Sequence, residues 1–314
     1  MRERPYCGIF SGNKLGRNEA EMCVISDVHI GSGERNDYVF GGKAGAQTSP
    51  VSGEAYTLRR FCEKVTESGR LGELSDGRHK LVLLGDIVNG ECGYFASYNS
   101  PAYRMLMSSF LPWVQEGNVI YIKGNHDKEA ELFSPHMTGF PKKFVVDELD
   151  CGGVIFEHGH QFDPLCDGKS LVGMMGSAAS SLAVRLLSPD VEDLVRGRKF
   201  YHDHSQGNGL RSIPNLSGLS GSSETESNDS RNVRCGAALR IKKLRKQEDF
   251  ELANGLTNER HCAIVCGHTH QRPVEIVDDS YVKLSYFNSG KFARDGYILI
   301  RTKYNDRYGA WELV

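Results

Sequence analysis

The chain has 314 residues, 38 of them Lys or Arg and 40 Asp or Glu, with 39% hydrophobic and 25% charged content. That length can bury a full-sized core, and the composition is that of a soluble globular protein, not a disordered or fibrous one. The near-neutral balance excludes an overall electrostatic pull toward nucleic acid or anionic membranes.

In chain order, Met22-Cys23-Val24-Ile25-Ser26 is a short apolar run that ends at Asp27-Val28-His29. It suits a buried strand whose tip carries polar ligands. Residues 41–53 form a Gly/Ser/Pro-containing loop, and residues 55–67 place Leu58, Phe61, Cys62 and Val65 at helical spacing. Leu81-Val82-Leu83-Leu84 runs into Gly85-Asp86, and Pro101 sits at the start of a helical pattern over 101–114. Val119-Ile120-Tyr121-Ile122-Lys123 leads to Gly124-Asn125-His126-Asp127, and Val154-Ile155-Phe156-Glu157 leads to His158-Gly159-His160. After a long polar and helical span, Ala263-Ile264-Val265-Cys266 leads to Gly267-His268-Thr269-His270. Strands are expected at 273–277, 281–287, 297–301 and 311–314. Five strand-then-ligand units imply that the polar tips gather along one edge of a sheet, where open α/β sheets place their sites.

The span 164–260 reads as an insertion. It holds an apolar stretch (171–187), a helical pattern near 191–200, a Ser/Gly/Asn-rich linker (205–232) too polar to pack, and a basic helix (237–245). The basic residues Arg240, Lys242, Lys243, Arg245 and Lys246 read either as a solvated face or as a patch for a diphosphate or another anion. The apolar stretch reads as helix packing on the core or as a lipid-accepting surface; with Arg185 inside it, it is not a membrane span. His202 and His204 read as solvated, and Asn89 and Glu91 as surface loop residues. Nine cysteines without framework spacing point to thiols in a reducing compartment. Residues 1–5 carry no apolar signal stretch, so a cytoplasmic location is expected.

Taken singly, the motifs have ordinary explanations. An Asp-x-His is more often a turn with a capping histidine, and Gly-Asn adopts positive φ readily. Five of them in order, each behind an apolar strand, supply Asp, Asn and His in the numbers needed to hold two metal ions side by side. A thiolate-free set of carboxylate and imidazole donors suits Mn, with Fe or Zn as alternatives. Two such ions roughly 3.5–4 Å apart would clamp an in-line phosphoryl displacement and generate a bridging hydroxide. The bridging ligand needs two coordinating oxygens, which favours Asp86.

The ordered series resembles the calcineurin-like metallophosphoesterase superfamily. The resemblance implies an α/β fold, a four-layer αββα sandwich, with its core at 20–163 and 261–314 and an inserted helical cap at 164–260. It implies that Asp27, His29, Asp86 and His270 hold one metal and that Asp86, Asn125, His158 and His268 hold the other. His126 then contacts the phosphoryl group and protonates the leaving oxygen, with Asp127 orienting its imidazole. His160 is open between a substrate contact, alongside Asn125 and His126, and a structural role.

Within the superfamily, Gly85-Asp86-Ile87-Val88-Asn89-Gly90 and Asp127 depart from the protein Ser/Thr phosphatase pattern, and Asn89 departs from the Tyr of purple acid phosphatases. An insertion after the His-Gly motif resembles the UDP-2,3-diacylglucosamine pyrophosphatases, some of which carry Arg where this chain has His126. Asp27-Val28-His29-Ile30-Gly31 also resembles DNA-repair nucleases, though no aromatic-plus-basic platform accompanies it. The expected activity is hydrolysis of a phosphodiester or diphosphate bond. The expected partner is a small-molecule or lipid-linked phosphate, with peripheral membrane contact through the cap; nucleic acid is not favoured. A DNA nuclease, a cyclic-nucleotide phosphodiesterase and an inactive binding scaffold are the alternatives.

Overall fold

The computed structural model describes residues 19–31, 58, 61–63, 79–90, 93–133, 135–151, 153–163, 166, 228–254, 261, 263–270, 275–278, 284–290, 292, 297–305 and 308–313. Two mixed sheets form its centre. The first contains β1 (Glu19–Ile25), β2 (His79–Leu84), β3 (Val119–Ile122), β4 (Val145–Val146), β10 (Ile298–Asn305) and β11 (Tyr308–Leu313), in the order β11-β10-β1-β2-β3-β4. The second contains β5 (Glu148–Cys151), β6 (Val154–Glu157), β7 (Ala263–Cys266), β8 (Glu275–Asp278) and β9 (Leu284–Asn288), in the order β5-β6-β7-β9-β8. Every strand that ends in one of the five motifs runs parallel to its motif-bearing neighbours within its sheet. Their carboxyl tips therefore emerge together.

Period-two alternation decides what each strand face meets. Met22, Val24, Val82, Leu84, Ile120 and Ile122 of the first sheet pack against Val154, Phe156, Ala263, Val265 and Phe287 of the second. The opposite face of the first sheet, including Cys23, Ile25, Leu81, Leu83 and Tyr121, packs against helical Leu58, Phe61 and Cys62 and against α2 (Pro101–Glu116). Burial on both faces explains why these strands read as continuous apolar runs. Pro101 occupies the first turn of α2, and the Ser100 hydroxyl accepts from the Tyr103 N–H at 3.2 Å. Gly117, at φ 80°, ends the helix. A short helix α1 (Tyr94–Tyr98) precedes it.

The second sheet is covered by α3 (Asn228–Ala253), whose Val233, Ala237 and Ile241 pack on Ile155, Ile264, Cys266 and Tyr286. This completes the αββα order expected from sequence. Residues 228–253, within the span read as an insertion, supply the outer helical layer, and the helix begins inside the stretch expected as linker. The Asn-Asp-Ser start of α3 is polar, but the later Val233/Ala237/Ile241 stripe gives it a face to bury. The expectations for 41–53, 171–187, 191–200 and 205–227 lie outside the described residues. Among the described residues no helix is long and apolar enough to cross a membrane.

The two readings of the basic stretch can be separated at Arg240. Its guanidinium reaches across to Glu148 and Glu157, which sit directly opposite each other on β5 and β6. Arg240 is thus committed to neutralising a cross-strand pair of like charges, not to a patch for outside anions. Asn89 is a second correction. It is fully buried, its N–H donating to Ile30 O at 2.8 Å and its carbonyl accepting from Ser97 Oγ at 3.0 Å. The bridge between Ile30 and Val88 lays the first two motif loops side by side and encloses it.

Candidate metal centre

The loops following β1, β2, β3, β6 and β7 bring Asp27, His29, Asp86, Asn125, His126, His158, His160, His268 and His270 to one edge of the two sheets. Three donor trios have ligand atoms within 4.8 Å of one another: Asp27/His29/His270, His29/Asp86/His126 and Asp86/His158/His268. They form a continuous chain with Asp86 at its centre.

Backbone geometry singles out the same residues. Among the described residues, the non-glycine positions with positive φ are Asp27 (52°), His29 (51°), Asp86 (53°), His268 (68°) and His270 (52°). All five are candidate ligands. Such conformations cost about 1–3 kcal/mol each and persist where surrounding structure over-determines them. Here the loops are locked by Asp27 N–H to Gly85 O (3.1 Å), His29 N–H to Asp86 O (2.9 Å) and Gly267 N–H to His158 O (2.9 Å). Gly85 and Gly124 have no room for a side chain. A Cβ would lie 2.5 Å from the His158 ring in the first case and 2.1 Å from Asp86 Oδ1 in the second.

Each carboxylate divides its work between its oxygens. Asp27 Oδ2 accepts from Ser26 Oγ at 2.5 Å and from the His268 N–H at 3.0 Å, while Oδ1 turns toward His270 Nε2 at 3.2 Å. Asp86 Oδ1 accepts from the His126 N–H at 2.8 Å, and Oδ2 faces His158 Nε2 at 3.1 Å. Both oxygens of Asp86 are thus oriented, Oδ1 by the backbone of the third motif and Oδ2 toward His158. His158 Nδ1 is fixed by Leu84 O at 2.9 Å, which presents Nε2 to the site. That arrangement, a backbone carbonyl on one ring nitrogen and a ligand position on the other, is how metal-binding histidines are commonly oriented. His29 Nε2 and His270 Nε2 approach to 3.0 Å.

The donors fit a divalent cation. Asn125 Oδ1 is a buried atom without a hydrogen-bond partner among the described residues, and Asp27 Oδ1 and His158 Nε2 meet only other members of the donor set. Left that way, buried polar atoms cost free energy. A cation would satisfy all three. Electrostatics agree: burial opposes ionisation of Asp86, but the charges of His158, His126 and His29 outweigh it and hold the carboxyl well below its usual range. Burial likewise opposes ionisation of Asp27, and His270 with His158 overcomes it. For His158, burial works against protonation, yet Asp86 and Asp27 push its pKa up to about 9. A proton on His158 thus occupies the electrostatic role that a metal ion would take.

Among the described residues, the hydrogen bonds of Asp127 run to loop backbone and to Tyr121. Its Oδ2 accepts from the Ile87 N–H and the Tyr121 hydroxyl, both at 2.7 Å, and its Oδ1 from the Gly124 N–H at 2.5 Å. It is a loop organiser tying the second motif to the third, fully buried, with its pKa raised to about 6 by burial and the neighbouring Asp86 charge. His126 lies against the site, its ring centroid 4.9 Å from that of His29 and its Nε2 3.9 Å from Asp86 Oδ2. His160 lies beside His158, ring centroids 5.6 Å apart, and burial together with the His158 charge pulls its pKa down to about 4.

Two contributors were not singled out in the sequence. Asp163, fully buried, accepts at 2.9 Å from His268 Nε2, which leaves Nδ1 of that ring for the centre. Its signal was present in His158-Gly159-His160-Gln161-Phe162-Asp163, a carboxylate three residues beyond the motif. The second is Asn288-Ser289-Gly290 at the tip of β9, a sixth strand-then-polar-tip unit. Ser289 Oγ contacts Ser26 Oγ at 2.6 Å, and Asn288 Nδ2 donates to Gly267 O at 3.1 Å and Thr269 Oγ1 at 2.8 Å.

A chain of parallel strand tips offering Asp, Asn and His in this order defines a metallophosphoesterase. The calcineurin-like phosphoesterase family matches residues 22–272, and the chain belongs to that family: it is a metal-dependent phosphoric ester hydrolase. No curated protein matches it. Among solved structures it is similar to a conserved uncharacterized protein, a predicted phosphoesterase, from Streptococcus pneumoniae TIGR4. Identity is 12%, coverage is 95% of this chain and 91% of that one, and the TM-score of 0.31 is too low for that likeness to carry an argument.

Proposed function

We propose that the protein hydrolyses a phosphodiester or diphosphate bond at a centre of two divalent metal ions, manganese by preference, in a nucleotide- or lipid-linked small molecule. The observation that carries the reading is the pair of outer donor trios, Asp27/His29/His270 and Asp86/His158/His268, joined through the trio that His29, Asp86 and His126 form between them. Asn125, with its buried Oδ1, would complete the second group. When bound, the metals supply Lewis-acid neutralisation of phosphoryl charge and lower the pKa of water.

The chain's own residues do the rest. Asp27 and Asp86 carry the negative charge that retains the cations, and the hydrogen bonds to Asp27 Oδ2 and Asp86 Oδ1 aim the other oxygens inward. His126, anchored through its backbone to Asp86, would donate a proton to the leaving oxygen. His160 stands beside His158 as a neutral imidazole able to hydrogen-bond an ester oxygen.

The test is hydrolysis by metal-stripped protein reloaded with Mn, offered a diester, a monoester, single-stranded DNA and a UDP-linked acyl sugar. Cleavage of the diester or the UDP-linked sugar in preference to the monoester is expected. Preferential monoester cleavage would overturn the bond class, and preferential DNA cleavage would overturn the small-molecule substrate.

A further inference from the structure

A further group of metal-ligating side chains adjoins the centre and shares His268 with it. Asp163, Cys166 and His268 place a carboxylate oxygen, a thiol sulfur and an imidazole nitrogen within 4.8 Å of one another. Local contacts bring the first two together: the Cys166 N–H donates to Asp163 O at 2.9 Å, and the Asp163 N–H donates to His160 O at 3.1 Å. Asp163 is fully buried and Cys166 half-buried, so the group is shielded on the protein side yet reachable.

We infer that Asp163, Cys166 and His268 form a third metal site, selective for a borderline, thiol-seeking divalent cation such as zinc, next to the thiolate-free pair. A carboxylate, a thiolate and an imidazole are three of the four ligands of a tetrahedral zinc ion, with water as the fourth. The 2.9 Å separation of Asp163 Oδ2 and His268 Nε2 is that of a hydrogen bond, and a tetrahedral ion at about 2.0–2.2 Å from each would part them to roughly 3.4 Å, a small side-chain shift. Donor softness separates this site from its neighbour, since thiolate ligands select zinc where carboxylate and imidazole alone accept manganese. Binding one cation here displaces the thiol proton of Cys166 and the Nε2 proton of His268 to solvent, and His268 then carries a metal on each ring nitrogen. The inference goes beyond the paired centre and shares only His268 with it.

The experiment is Co(II) titration of full-length, Mn-loaded protein followed by absorption and metal analysis. The expected result is one further equivalent accompanied by an intense sulfur-to-cobalt charge-transfer band, absent in Cys166→Ser, which keeps its manganese. No such band in the natural protein, or a band that persists in Cys166→Ser, would overturn the site. A measurement that needs no variant is alkylation of Cys166 by iodoacetamide, read by peptide mass spectrometry with and without zinc. Protection by zinc supports the site, and equal labelling overturns it. Protein that binds no manganese yet shows the Cys166-dependent band would remove the paired centre while keeping this one.

Discussion

Asp86 is the residue on which the centre converges, since one oxygen is held by the His126 N–H and the other faces His158. Asp86→Ala is expected to abolish manganese binding and turnover together, measured by metal analysis of the dialysed variant; retention of two equivalents would refute the sharing. His126→Ala is expected to keep its metal and lose about 10²–10⁴-fold in kcat, the scale of general acid catalysis. Because His126 also falls within a donor trio, loss of metal in that variant would reassign it as a ligand. Gly124→Ala tests the backbone. A methyl group 2.1 Å from Asp86 Oδ1 must displace that carboxylate, so metal affinity should fall in a variant whose strand β3 is otherwise intact. The motif residues were legible because their chemistry is carried by residue type. The job of Asp127 was not. Whether a carboxylate faces its chain neighbour His126 or the backbone of Ile87 depends on where another loop passes, which a linear motif does not record.

At the scale of elements, the sequence disclosed the parallel strands through their apolar runs, and α2 through Pro101 at its start. It hid β4 and β5, which have two and four residues and whose burial is shallow. It also hid the true place of α3, whose composition is basic while its buried stripe is only a few residues wide. Such a helix is recognised by what it covers. Arg240 is its anchor. Removing that guanidinium leaves Glu148 and the fully buried Glu157 facing each other, with Glu157, whose pKa burial already raises to about 7, losing its counter-charge. Breaking a fully buried ion pair costs about 3–5 kcal/mol, and exposure of Glu148 reduces this, so Arg240→Ala should destabilise by roughly 2 kcal/mol in chemical denaturation. Adding Glu157→Gln should restore part of the loss; no recovery would mean that Arg240 acts through packing alone.

Over the whole molecule, the layers are tied at opposite ends by different chemistry. Away from the metal centre, His261 is clasped between Asp150 at 2.7 Å and Glu248, joining β5 to α3. The hydrogen bond to Asp150 leads the causes that raise its pKa to about 9, from an ordinary value of 6.5. A histidine whose folded pKa is raised stabilises fully below its unfolded pKa and loses that contribution as pH rises through the folded one. The stability gap between the natural protein and His261→Gln should therefore be constant below about pH 5.5, narrow above about pH 6.5 and close by about pH 9.5, from roughly 1 kcal/mol once solvent screening is allowed for. A gap that does not change with pH would assign His261 a packing role.

At the other end, Ser26 Oγ meets Ser289 Oγ across 263 positions of chain, and Asp27 accepts from a backbone N–H 241 positions away. The order of synthesis then matters. With a ribosome adding about 5–20 residues per second, the first ligand waits on the order of ten to fifty seconds for the last wall of its cavity to emerge. Throughout that interval the nascent chain presents half a cation site backed by an unfinished sheet. Cation capture is consequently a closing event in the birth of this protein, and a ribosome-held chain ending before residue 284 should bind no more manganese than an unfolded one.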